Sequence, residues 1–372
     1  MKKFSDHIAI IGAGIAGLAA ANFLQIKNIP CVVFERSKYL GEHGAGISIS
    51  PNGINVLNEL GLIEELRLIS GNPKKAIFFS SSKKITAINV STITTSRKSL
   101  HAILQNRYIS NGGEIIYDHE LKNINFDNLN LTFSNKINYQ CAHILGCDGI
   151  KSDCRKQIFK DDKAPIYSGY SVWRSIIPNN QNDIEFYLGP NYHVVTYPIN
   201  NKEVSFVAAI KEPKKNIESW KEKGNYKDLD KFLPNFILNK YSQLQDNSPI
   251  FKWGIYLRPD IGTYFKNHLT LLGDAAHPIV PFMGQGGCLA LEDAYTFANL
   301  LNKNDKKFQN VQLKFQEMRL PRVLSIHKKS MRQAMLNHLS NPILVFIRNL
   351  LMKYTPIIRL RTQNIWNFDV KK

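Results

Sequence analysis

Ile8-Ala9-Ile10-Ile11-Gly12-Ala13-Gly14-Ile15-Ala16-Gly17, with Glu35 eighteen positions after Gly17, is the stretch that decides the fold. A short apolar run precedes Gly12, and a helix-forming run, Ala16 to Phe23, follows it. That is the strand–turn–helix setting a dinucleotide fingerprint requires. Gly12 permits the tight turn, Gly14 lets a pyrophosphate approach the backbone, and Gly17 lets helix and strand pack closely. The helix start then offers N–H groups and a positive dipole end to phosphates. Cys31-Val32-Val33-Phe34 reads as the second strand. Glu35 ends it, placing a carboxylate where it can accept hydrogen bonds from ribose hydroxyls.

Two further segments follow in fixed order. His143-Ile144-Leu145-Gly146-Cys147-Asp148-Gly149-Ile150-Lys151-Ser152-Asp153-Cys154-Arg155 reads as a strand running into a turn, with Lys151 and Arg155 as cations suited to phosphates. Leu271-Leu272-Gly273-Asp274-Ala275-Ala276-His277-Pro278 ends another strand, and Pro281 to Gly287 leads into a helix. The N–H groups of Gly286 and Gly287 at that helix start suit a negative charge.

Together with Arg97-x-x-Leu100-x-x-x-Leu104, these segments resemble the FAD-dependent aromatic hydroxylases, the single-component flavoprotein monooxygenases, over most of the chain. The resemblance implies an α/β fold: a Rossmann-like FAD-binding domain with an inserted antiparallel-sheet substrate domain and C-terminal helices. It implies FAD as cofactor, with NADH or NADPH and O2 as co-substrates. In the family Asp274 meets the ribityl chain, Arg97 lies beside the pyrophosphate, and the segment around Asp148 supports both flavin and nicotinamide. The cofactor-binding set so implied is Gly12, Gly14, Gly17, Glu35, Arg36, Gly46, Arg97, Leu121, Asp148, Asp274, Gly286 and Gly287. Cys288 stands where the family pattern more often has asparagine. Gly44 to Ser48, Gly169 to Arg174, Tyr197-Pro198 and Trp253 to Pro259 resemble the salicylate hydroxylase and 3-hydroxybenzoate 6-hydroxylase branch.

The chemistry of that branch says what to look for. Reduced flavin and O2 give a C4a-hydroperoxide, an electrophile, so the ring attacked must be electron-rich. A phenol has a pKa near 10, and deprotonating it pushes charge onto its ring carbons. A base at hydrogen-bond distance lowers the barrier. His193 and Tyr197, four apart on one predicted strand, face the same side. The resemblance makes His193 the base and Tyr197 a pocket residue, with Gln285 positioning substrate. The other reading of His193 is a strand histidine satisfied by backbone partners, and of Tyr197 a core aromatic. His277 is read as packing beside the flavin, and His43 is left without a role. Arg174 and Arg258 are carboxylate partners or, in the reading preferred, internal contacts.

Composition narrows the class. The chain has 372 residues, is 44% hydrophobic and carries a net charge of +18. The length allows two domains. The boundaries expected are 1–70, 96–165 and 268–300 for the FAD-binding domain, 71–95 and 166–267 for the substrate domain, and 301–372 for a C-terminal helical region. Within these, Leu229–Tyr241, Gly286–Leu301 and Lys303–Leu339 read as helices. The five cysteines have no CxxC spacing and read as reduced thiols, not a metal site or disulfide frame. Lys2-Lys3 and the apolar run after it imitate a signal peptide, but Asp6 and His7 interrupt it and the fingerprint occupies it, so a cytoplasmic protein is expected. The positive charge is mostly Lys and has no nucleic-acid motif beside it.

Three functions fit. The leading one is hydroxylation of a small phenolic acid. The second is a ubiquinone-pathway ring hydroxylase, since the part after Pro342 with Arg348 and Lys353 reads as a basic amphipathic helix able to lie on an anionic membrane. The alternative for that helix, and the one preferred, is packing on the nucleotide domain with its charges in water. The third function is a flavin-fold escort protein, against which Glu35, Arg97 and Asp274 argue, because an escort needs no FAD contacts.

Overall fold

Ile8–Ile11 and Cys31–Phe34 are short apolar runs, as strands buried on both faces of a parallel sheet require. In the computed structural model they pair in parallel, Ile8 opposite Cys31, and Ile8–Ile11 pairs in parallel with His143–Gly146 on its other side. The model describes residues 4–39, 46–159, 163–213, 223–245, 249–258, 261–303 and 307–372; His43, Gly44, Ala45 and Pro259 lie outside them. The six-stranded sheet runs Phe265–Lys266, Leu269–Leu271, His143–Gly146, Ile8–Ile11, Cys31–Phe34, Ile115–Ile116. The helices Ile15–Ile26 and Gly286–Lys303 pack on each other over it. The three glycine motifs therefore end adjacent strands or open the helices beside them.

A seven-stranded sheet forms the second layer. Its order is Phe251–Leu257, Ile166–Pro178, Glu203–Lys211, Tyr192–Pro198, Ile184–Gly189, Lys75–Ser80, Lys83–Asn89. The expected antiparallel pairing holds with one exception: Ile184–Gly189 and Lys75–Ser80, two strands from chain segments far apart in sequence, run parallel. Stacked rings hold that joint on both faces, Phe78 on Phe186 at 4.7 Å and Phe79 on Tyr187 at 4.8 Å between centroids. Side-chain alternation sorts the faces. Trp173, Val194 and Phe206 pack outward with Leu229, Ile237 and Tyr241, whereas Val172, Arg174, His193 and Tyr197 face inward.

Two helical readings need correction. Leu229–Tyr241 is not one helix but Tyr226–Asp230 and Asn235–Lys240, parted at Pro234, whose ring cannot follow an unbroken helical turn. The long C-terminal helix runs Phe308–Asn337, with Pro321 inside it. Pro342–Tyr354 forms as expected, with Pro342 in its first turn and the Asn341 side chain accepting from the N–H groups of Ile343 and Leu344. It packs beside the strand Lys83–Asn89, not on the nucleotide-binding sheet, and only one of its two charges is in water: Lys353 is exposed, whereas Arg348 is buried. Among the described residues no helix is long and apolar enough to cross a membrane.

Candidate active site

A cavity of about 1060 Å³ lies between the inner face of the seven-stranded sheet and the ends of the nucleotide-sheet strands. That exceeds the upper range for a single small ligand and leaves room for a large cofactor and a substrate together. Its floor is the glycine loop. Gly12 sits at φ +105°, and a Cβ there would come within 2.6 Å of the Cys147 carbonyl; a Cβ on Gly17 would strike the Gly12 carbonyl. Both glycines are therefore fixed by packing. Glu35 stands behind the loop, its carboxylate accepting from Ala13 N and Ser37 N, each at 2.9 Å.

Asp274 follows Gly273 at the end of its strand and lines the cavity. Its side chain is open to the lumen yet enclosed by protein, and burial pushes its carboxyl above the usual range, against the pull of Arg97. Arg97 opens the helix Arg97–Ser110, whose N-cap Ser96 accepts from Ser99 N. Arg36, Gly46 and Asp148 line the same cavity. The Asp148 carboxylate accepts from Ser152 Oγ and from the N–H groups of Asp153 and Cys154, so it fixes the start of the next helix. Gly46 has no room for a side chain, because a Cβ would lie 2.4 Å from Ser205 Cβ and 2.7 Å from the Tyr197 ring. Leu121 is buried in the core, and its side chain is not among those lining the cavity.

The opposite wall carries His193, Tyr197, Arg174 and Trp253. The Arg174 guanidinium lies over the Trp253 ring at 5.0 Å. Burial lowers its pKa to about 10, with Tyr197 pulling it up and Arg97 adding repulsion. Burial raises the Tyr197 phenol above its usual value, and Arg174 works against that. His193 Nδ1 stands 2.6 Å from His338 Nε2, so its partner is a second imidazole, not the backbone. Burial, then the neighbouring His338, holds His193 neutral well below the ordinary histidine range; burial and Lys211 lower His338 to about 4. Phe282 and Tyr170 pack around the pair. Arg258 is an internal contact, donating to the carbonyls of Ile150 at 2.7 Å and Lys163 at 3.2 Å.

Gln285 lines the cavity, but both ends of its amide are engaged. Its Nε2 donates to Ser50 Oγ, and its Oε1 accepts from Asn52. Asn52 also donates to Glu292, which opens a buried charge network that sequence reading did not find. Glu292 is paired with Arg319 and Arg322, and Asp293 with Arg319 and His277, at 2.6–2.7 Å. Burial alone would raise Asp293, but His277 and Arg319 outweigh it and hold the carboxyl at about 2. Asp293 also accepts from Gly273 N, so the network fixes the residue before Asp274. A signal was present: Glu292-Asp293 are adjacent acids inside an apolar helix, and each needs a partner when buried.

The model of the FAD binding domain family matches residues 6–307. The chain belongs to the FAD-binding-domain family. Among curated relatives of this flavoprotein, 3-amino-4-hydroxybenzoate 2-monooxygenase of Streptomyces cremeus is 30% identical, covering 90% of this chain and 88% of the relative. 3-Hydroxybenzoate 6-hydroxylase of Polaromonas naphthalenivorans is 26% identical, with 89% and 88% covered. The crystal structure of Klebsiella pneumoniae HpxO complexed with FAD and uric acid superposes with a TM-score of 0.83 at 20% identity, over 97% of this chain and 96% of that one. The residues present fit FAD. Gly14 and Gly286 line the cavity at two helix starts, whose first N–H groups have no partner within the helix, and a Cβ built on either meets nothing within 4 Å, so an anion has room to approach. Neither helix has an acid in its first turn to compete with an anion. Asp274 supplies the enclosed acceptor that ribityl hydroxyls need.

Proposed function

We propose that this flavoprotein is an NAD(P)H-dependent monooxygenase that hydroxylates the ring of a small phenolic acid, and that it works in the cytoplasm. The observation that carries the reading is one cavity with two walls: the cofactor cradle of Gly14, Asp274 and Gly286 faces His193, Tyr197 and Arg174. Bound FAD, once reduced, supplies the activated oxygen. The protein's part is to present the ring and move its phenol proton. Arg174 offers a cation to the substrate carboxylate. His193 accepts the phenol proton at Nε2, which requires Nδ1 to carry a hydrogen and donate to His338 Nε2. His338 thereby selects the tautomer of His193 that can act as a base. Gln285 holds the start of the helix Gly286–Lys303 beside the ring through Ser50 and Asn52. The relatives above act on benzoates by name, which favours a phenolic acid over a polyprenyl-substituted ring.

The test is to purify the protein with its flavin and screen phenolic acids for stimulated NADH and NADPH oxidation, with the product identified by mass spectrometry. Stimulation without an oxygenated product from any phenolic acid would reject the reading. Asp274→Ala is expected to weaken FAD binding roughly tenfold to a hundredfold, the worth of one charge-assisted hydrogen bond of about 1.5–3 kcal/mol. Because the Asp274 carboxyl titrates above the usual range, FAD affinity should fall as pH drops through that raised value, and Asp274→Asn should remove this pH dependence. Flavin titrations of the apoprotein across pH read both effects; unchanged affinity in the alanine variant would remove Asp274 from the cradle.

A further inference from the structure

The helix Pro342–Tyr354 is turned inside out. Its arginine, Arg348, is buried and donates to the Leu336 carbonyl and to Ser80 Oγ. Its large apolar side chains point outward: Ile343 is 69% exposed, Phe346 61% and Tyr354 71%, with Leu350 on the same stripe. Leu344, Ile347 and Leu351 widen the exposed surface, so apolar groups span about 160° of the helix at 100° per residue. Leu360 on the next helix, Ile357–Trp366, is exposed as well. A contiguous face of this kind marks an interaction site, because water is a poor neighbour for it. Charge says what covers it. No Asp or Glu occurs between Glu317 and Asp369, while Lys328, Arg332, Lys353 and Arg359 in that span are exposed. A second copy would bring the same cations against each other in a chain of net charge +18. An anionic bilayer offers both an apolar interior and a complementary surface. Leu344, Ile347 and Leu351 also line the cavity, so its mouth opens at this face.

We propose that the outward face of Pro342–Tyr354, flanked by Lys353 and Arg359, docks the protein peripherally on an anionic lipid surface. The inference is independent of the identity of the aromatic substrate.

The experiment is sedimentation of the full-length, flavin-bound protein with vesicles of phosphatidylcholine, with and without phosphatidylglycerol. Sedimentation with the phosphatidylglycerol vesicles is expected, and it should weaken with added salt because exposed charges are screened within about 8 Å at physiological ionic strength. Phe346→Ser/Leu350→Ser should lower the apparent affinity roughly tenfold or more, since each removes a buried apolar group from the lipid contact. Both positions are exposed, so flavin content and thermal midpoint serve as checks that the variant is folded. Lys353→Glu/Arg359→Glu should abolish the preference for phosphatidylglycerol. Three results would each overturn the proposal. One is no sedimentation with anionic vesicles at low salt. Another is equal binding by the serine variant. The third is a wild-type dimer in light scattering that the serine variant dissolves, which would make a second copy the occupant.

Discussion

Replacing His193 with alanine should slow hydroxylation about 10²–10⁴-fold, the usual effect of losing a positioned base, while reduction of the flavin by NAD(P)H continues. The two activities part because His193 belongs to the sheet wall of the cavity and the cofactor cradle to the other wall. Product formed per NAD(P)H consumed is the measurement: the variant should still consume NAD(P)H but convert little substrate. The pH profile gives a second reading. An unburied imidazole would lose its basic form near pH 6.5. His193 is held neutral well below that by burial and by His338, so the basic form persists into mild acid and the activity of the wild type should not fall near pH 6.5 on its account. In the alanine variant activity should rise only at higher pH, as the phenol ionises without help. Unchanged coupling together with an unchanged profile would show that His193 is not the base.

His338 offers a finer version of the same test. With its Nε2 2.6 Å from His193 Nδ1, it would act on a bound phenol only through His193. Glutamine can still accept a hydrogen bond, whereas leucine cannot. His338→Leu should therefore reproduce much of the coupling loss of the His193 variant, and His338→Gln should restore part of it. A purely structural role would lower stability in both variants and leave the product ratio unmoved.

The nucleotide half was legible because its motifs are local. Gly12, Gly14, Gly17 and Glu35 lie within one strand–turn–helix–strand unit, and their spacing alone dictates how the backbone must run. The bounds of the helix Arg97–Ser110 are likewise set by local residues, Ser96 capping its start and Asn111-Gly112-Gly113 following its end. The facing of His193 and Tyr197 followed from the alternation of one strand. What was not legible depends on distant partners. His338 lies 145 residues from His193, and only the return of the helix Phe308–Asn337 across the sheet brings them together. The parallel pairing of Lys75–Ser80 with Ile184–Gly189 is equally non-local. The outward apolar face of Pro342–Tyr354 was misread because periodicity tells which residues share a helix face, not which face turns to the protein. Arg348 found Ser80 and the Leu336 carbonyl, and those partners set the rotation.

Asp293→Ala should destabilise the protein by about 3–5 kcal/mol, the cost of breaking a buried ion pair and leaving its partners uncompensated. Asp293 is fully buried and serves three groups: Arg319 Nε at 2.7 Å, His277 Nε2 at 2.6 Å and the N–H of Gly273 at 2.9 Å. Glu292 still pairs with Arg319 at 2.7 Å, but its oxygens are shared with Arg322 and Asn52, so the loss falls on His277, the Arg319 Nε–H and the Gly273 N–H. The pH dependence has a definite sign. The folded-state pKa of about 2 lies below the unfolded value of about 3.9, so the stabilisation is fully present above pH 4 and is lost as pH falls from there towards 2. Urea unfolding at neutral pH should show the drop in the alanine variant. Asp293→Asn, which cannot titrate, should lose the part of the wild-type acid sensitivity that falls between about pH 4 and 2. Because Asp293 fixes Gly273, next to Asp274, the alanine variant should also bind FAD more weakly even where it remains folded. A urea midpoint equal to that of the wild type would mean that Arg319 and His277 find other partners, and that the network does not hold the cofactor side of the cavity.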